Sequence, residues 1–80
     1  MIDIYGTKDC PACKTAVKLC EMNAIEYSYY DLMEEPNLMD ALVTRIGSFR
    51  TVPQIFDDET HVGGYEDLVH HFTKNKLEIA

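Results

Sequence analysis

Basic residues are scarce in this 80-residue chain: 7 Lys and Arg stand against 14 Asp and Glu, a formal net charge of -7. That balance argues against nucleic acid as a partner, because affinity there rests on cations neutralising phosphates. Long apolar runs are also missing, so no segment reads as a bilayer span. No opening stretch joins a basic segment to an apolar run and a small-residue cleavage site. The expectation is a soluble, cytoplasmic protein that uses no membrane. Cysteines number three, an odd count that does not suit a fully paired secreted framework. Repeats, low-complexity tracts and linkers are lacking too. The length suits one domain with a limited core and a small margin of stability.

What the chain has is alternation of strand and helix. Ile2 to Tyr5 alternates apolar with polar, and Gly6 to Asp9 reads as a loop. Helical spacing starts after Cys10, with Pro11 in the first turn, where a missing N–H costs nothing. Cys13, Ala16, Val17 and Cys20 share one face, and Asn23 is a stop signal. Ile25 to Tyr30, rich in aromatic residues, reads as a second strand, with Tyr27, Tyr29 and Tyr30 packing sheet and core. A second helix is predicted from Pro36 to Ile46, with Leu38, Leu42, Val43 and Ile46 inward and Gly47 ending it. Met33 and Met39 are read as packing. Val52 to Phe56 is strand-like, with Pro53 tolerated at its head. Asp57-Asp58-Glu59 is a turn, Thr60 to Val62 an antiparallel return, and Gly63-Gly64 a break. The last helix runs from Tyr65 to Lys74 with Leu68, Val69 and Phe72 inward. The order β-α-β-α-β-β-α implies an α/β fold: a four-stranded mixed sheet with three helices on its two faces.

The chemistry centres on Cys10-Pro11-Ala12-Cys13. This pair follows a predicted strand and opens a predicted helix. Unpaired amides and the positive end of the macrodipole stabilise a thiolate there. Lys8 adds a nearby positive charge. Cys13, one turn on, lies on the stripe that faces the core. Cys10 is therefore the attacking sulfur, and Cys13 the resolving one. A zinc site is the competing reading, but the pair needs two more ligands. Cys20, His61, His70 and His71 are the candidates, and His70 and His71 point about 100° apart on a helix. Cys20 is expected to be buried and inert, and the three histidines to have no catalytic duty. Arg45 and Arg50 read as solvated charges, with Arg50 able to extend a positive rim beside Thr51.

Three pieces resemble the glutaredoxin family from end to end of the chain. They are Tyr5 and Lys8 ahead of Cys10-Pro11-Ala12-Cys13; Thr51-Val52-Pro53-Gln54-Ile55-Phe56; and Val62-Gly63-Gly64-Tyr65-Glu66-Asp67-Leu68. The resemblance implies a single glutaredoxin domain over residues 1–80 with a thioredoxin-like fold, and Pro53 cis and facing the cysteines. It implies a monomeric enzyme with no bound cofactor and no metal, using glutathione as co-substrate. Disulfide-containing proteins would be its clients, ribonucleotide reductase a candidate among them. By resemblance the glutathione site comprises Lys8, Thr51, Val52, Pro53, Gly64, Tyr65, Glu66 and Asp67. Val52 would pair with the cysteine moiety, Lys8 would favour the glycine carboxylate, and the turn from Gly64 to Asp67 would hold the γ-glutamyl end. Ala12, Tyr65 and Glu66 depart from the residues usual in the family. These departures and the compact length resemble glutaredoxins encoded by bacteriophages. Two alternatives stay open: a glutaredoxin-like redoxin reduced by thioredoxin reductase, and a module binding zinc or an iron–sulfur cluster.

Overall fold

The computed structural model describes residues 1–49 and 51–74. Seven elements follow in the expected order: β1 (Ile2–Gly6), α1 (Pro11–Met22), β2 (Tyr27–Asp31), α2 (Asn37–Ile46), β3 (Gln54–Asp57), β4 (Thr60–Gly63) and α3 (Tyr65–Lys74). The sheet order is β2-β1-β3-β4. β1 runs parallel to β2 and antiparallel to β3, and β3 runs antiparallel to β4. This is the thioredoxin-like arrangement.

Side-chain alternation along β1 and β3 divides the interior in two. On one face Ile2, Ile4 and Ile55 meet Ala16, Leu19 and Cys20 of α1 and Leu68 and Phe72 of α3. On the other, Tyr5 and Phe56 meet Leu32 and Leu42, the latter from α2. Tyr5 stacks on Tyr30 at 4.8 Å between centroids and meets Phe56 edge-on at 5.7 Å. Helices thus cover both faces, and the starts of α1 and α3 meet the same end of the sheet as the segment before β3.

Several local expectations need correction. Gly6 belongs to β1 rather than to the loop, and Gly63 belongs to β4. β2 starts at Tyr27, because Ile25 is still turning off α1: its N–H donates to the Cys20 carbonyl at 2.9 Å. The left-handed residue after α1 is Ala24 (φ 54°), while Asn23 holds the helix end through its side-chain amide on the Leu19 carbonyl at 2.9 Å. Pro53 precedes β3 instead of heading it. Val43 is 45% exposed, because the inward stripe of α2 is Leu38, Leu42 and Ile46, four apart, and Val43 sits one position off it. Met33 and Met39 are exposed as well: one lies in the turn after β2, the other off that stripe. Arg45 is no idle charge. Its guanidinium lies 3.7 Å from the Phe56 ring centroid and donates to the Tyr5 hydroxyl and the Asp58 carbonyl, tying α2 to the sheet.

Candidate active site

Cys10 ends the loop after β1 and is the N-cap of α1. Its φ and ψ of -104° and 107° are extended, so the chain turns into the helix on the next residue. Pro11 takes the first helical position, as its fixed φ allows. The Cys13 N–H points back and donates to Cys10 Sγ at 3.1 Å. A sulfur in the N-cap position therefore receives one of the amides that a helix start leaves unpaired. Cys10 and Cys13 form a disulfide with Cα atoms 5.2 Å apart. Both are largely buried, but not equally: Cys10 keeps 7% of its surface and Cys13 none. Of the pair, Cys10 is the less enclosed residue.

The opposite wall is the segment before β3. The Val52–Pro53 peptide is cis, and the Val52 carbonyl oxygen lies 3.8 Å from Cys10 Sγ. Gly64 adjoins this wall, since a Cβ placed there would lie 3.9 Å from the Pro53 carbonyl. Asp67 reaches back from the first turn of α3 and accepts the Gly64 N–H at 3.0 Å. This caps the helix from its third residue. Gly63 makes room for the cap: its φ is 121°, and any Cβ there would collide with the Asp67 carboxylate.

Cys10 thus faces a wall made by Val52, Pro53 and Gly64, with Asp67 behind Gly64. Thr51 and Glu66 are exposed at its margins. Lys8 is exposed two residues before Cys10, with Asp9 between them, and it borders a separate open groove of about 420 Å³ with Thr7, Lys14, Val17, Tyr27, Tyr29 and Asp31. Tyr65 is half-buried against the core and lines a groove with Thr15, Lys18, Leu19 and Met22 of α1. Arg50, the expected extension of the positive rim, lies outside the described residues.

Gly6 was not legible as a site residue. A Cβ on it would lie 2.5 Å from Cys13 Sγ and 2.7 Å from the Tyr29 hydroxyl. The missing side chain is the space into which the inner sulfur packs. The Tyr29 hydroxyl closes that space while donating to the Thr7 carbonyl at 2.7 Å, and burial pushes its phenol up from the ordinary 10.0. In the sequence Gly6 reads only as the first residue of a loop.

The remaining titratable groups stand apart. Cys20 is fully buried, and burial raises its thiol from 9.0 to about 11. His71 Nε2 lies 2.7 Å from Asp57 Oδ2, and His61 Nε2 lies 2.8 Å from Gln54 Oε1. Among the described residues no three His, Cys, Asp or Glu side chains gather as a metal site, and no helix is long and apolar enough to cross a membrane.

Comparison with known proteins agrees with this geometry. The family described as Glutaredoxin matches residues 2–62. Glutaredoxin 1 of Escherichia coli is 35% identical over 78 residues, covering 90% of this chain and 92% of its own. A buckwheat glutaredoxin–glutathione complex shares the fold with a TM-score of 0.78 at 24% identity, over 94% of this chain and 70% of that one. The glutaredoxin-like protein NrdH-redoxin of Escherichia coli, which has a thioredoxin-like activity profile, shares it with a TM-score of 0.72 at 22% identity, over 99% and 96% of the two chains.

Proposed function

Because the chain belongs to the glutaredoxin family and is a thiol-disulfide oxidoreductase, we propose that glutathione is its reductant and that Cys10 is its attacking sulfur. The observation that carries this reading is the placement of Cys10 Sγ. It sits at the start of α1 within 3.1 Å of the Cys13 amide nitrogen and faces the Val52 carbonyl across 3.8 Å. The amide and the helix dipole favour the thiolate. Val52, directly before β3 and beside Cys10, would offer its backbone N–H and carbonyl to a cysteinyl peptide adding as a short strand.

Two routes follow: the first joins one glutathione thiol to the glutathionyl group of the substrate as glutathione disulfide, and the second oxidises two glutathione thiols to one glutathione disulfide. With a glutathione mixed disulfide, the Cys10 thiolate attacks the glutathionyl sulfur, and the client leaves as a thiol after taking a proton. A second glutathione thiolate then attacks that sulfur, which frees Cys10. With a protein disulfide, Cys10 forms a mixed disulfide with the client. Cys13 loses its proton and attacks Cys10 Sγ, the reduced client departs, and the Cys10–Cys13 disulfide remains. Two glutathiones reopen it in turn. Ribonucleotide reductase is a candidate client of this second route.

Around Cys10 the tripeptide would lie along Thr51, Val52 and Pro53. Lys8 would face its glycine carboxylate. The amides at the start of α3 (Tyr65 and Glu66) would meet the γ-glutamyl carboxylate, and the acidic side chains of Glu66 and Asp67 its amine. One observation favours a second reading, reduction by thioredoxin reductase. The Gly64 N–H is already taken by Asp67, which leaves one donor fewer for a γ-glutamyl end.

Turnover of a small glutathione mixed disulfide with glutathione, glutathione reductase and NADPH separates the two. The proposal expects turnover there, none with Cys10→Ser, and retained turnover with Cys13→Ser, which loses only reduction of protein disulfides. Turnover confined to thioredoxin reductase would establish the second reading, and undiminished turnover in Cys10→Ser would refute the assigned role of Cys10.

A further inference from the structure

Gln54 is the one buried polar side chain among the described residues, at 8% exposure, and the chemistry above makes no use of it. Its Nε2 donates to the Thr51 carbonyl at 2.8 Å. Only the amide NH₂ can serve a carbonyl, so Oε1 must face the other way, where His61 Nε2 lies at 2.8 Å. Nε2 of that ring therefore carries the proton and donates. His61 is itself held on β4, opposite Phe56 in the register and with its ring 5.0 Å from that of Phe56. The Thr51 carbonyl is thus tied through two side chains to the β3–β4 pair.

The tie fixes more than one oxygen. Across a planar trans peptide the carbonyl of one residue and the N–H of the next point in opposite directions. With the Thr51 carbonyl turned towards Gln54, the Val52 N–H is turned away from it. Pro53 has no N–H, so Val52 supplies the only amide donor of this dipeptide. Its carbonyl already faces Cys10 Sγ at 3.8 Å. A strand added beside Val52 needs both the donor and the acceptor. A flip of the Thr51–Val52 peptide would replace the donor with a second carbonyl.

We propose that Gln54 and His61 are positioning residues that lock the Thr51–Val52 peptide and so present the Val52 N–H to the backbone of the incoming cysteinyl ligand. This rests on the reading that the ligand pairs with Val52. The two can be tested apart with Gln54→Met, which keeps the length and removes both hydrogen bonds. His61→Phe keeps a ring on Phe56 and removes the donor at an exposed position, so it carries the test if the first variant does not fold.

The lock is read in the ligand-free protein, from the Thr51 carbonyl and Val52 amide NMR resonances and the exchange rate of the Val52 amide. Both variants are expected to shift them. KM for a glutathionylated peptide is expected to rise about fivefold, the scale of one lost hydrogen bond, with kcat and the thiolate titration of Cys10 unchanged. Unmoved resonances in a folded variant would overturn the lock. Shifted resonances with an unchanged KM would overturn the positioning role and, with it, pairing at Val52. Shifted resonances in a protein that does not turn over glutathione substrates at all would uphold the lock and defeat the glutathione reading.

Discussion

Cys10 and Cys13 are three positions apart in sequence and differ in what surrounds them. Cys10 caps a helix and keeps a small exposed fraction, and Cys13 fills a space left by Gly6. The first fact was legible, because a C-P-x-C pair between a strand and a helix dictates it. The second was not, because it depends on Gly6 and Tyr29, which meet Cys13 only after β1, β2 and α1 have packed. Gln54 and His61 were hidden for the same reason: neither is recognisable until β3 and β4 pair. Gly6→Ala tests the packing account. The added methyl would lie 2.5 Å from Cys13 Sγ, so the variant is expected to lose about 1–3 kcal/mol in denaturant unfolding. Unchanged stability would show that the inner sulfur has room to spare. Cys20 gives a test with a defined sign. Its folded thiol is held at about 11 against an ordinary 9.0. Below pH 9 folded and unfolded chains both keep the proton. Between 9 and about 11 the unfolded chain releases it first, so stability falls across that window. The denaturation midpoint of the wild type should therefore drop relative to that of Cys20→Ala over this range, and parallel pH profiles would contradict the assignment.

Helix α3 shows how one element can serve two ends. Its sequence start, Gly63-Gly64-Tyr65-Glu66-Asp67, reads equally as a turn with a cap and as a ligand-binding loop, and the structure displays the cap. Asp67 accepts the Gly64 N–H at 3.0 Å, while its charge is proposed to meet the amine of glutathione. Two substitutions divide these roles. Asp67→Ala removes the cap and is expected to cost about 1 kcal/mol of stability. Asp67→Asn keeps an acceptor for the cap, so its thermal midpoint should stay near that of the wild type. KM for a glutathione substrate should rise in both. An Asn variant with an unaltered KM would remove Asp67 from the ligand site. The extents of the helices were legible to within a residue, since caps and periodicity mark them. Strand ends were less so: Gly6 and Gly63 look like breaks in sequence, yet each is the last residue of a strand whose ladder is decided by a distant partner. The outward turn of Val43 was likewise invisible, because three neighbouring apolar positions on α2 already suffice to cover the second core.

At the scale of the molecule, a chain of net charge -7 brings one helix start, one cis peptide and one glycine turn to the same end of a four-stranded sheet. The order of strands and helices, and so the meeting of these three segments, could be read from the alternation of patterns. The side-chain links between them could not. The thiolate at Cys10 is on this account a property of the folded chain, since a helix start exists only when α1 is docked on Ile4, Ile55 and Leu68. Thiolate absorbance of Cys13→Ser at 240 nm and pH 7, with and without guanidinium, measures it directly. The folded protein is expected to hold Cys10 as the anion, and guanidinium should return it to the thiol. A sulfur that stays protonated at pH 7 in the folded protein, and titrates as it does in the unfolded chain, would contradict the account.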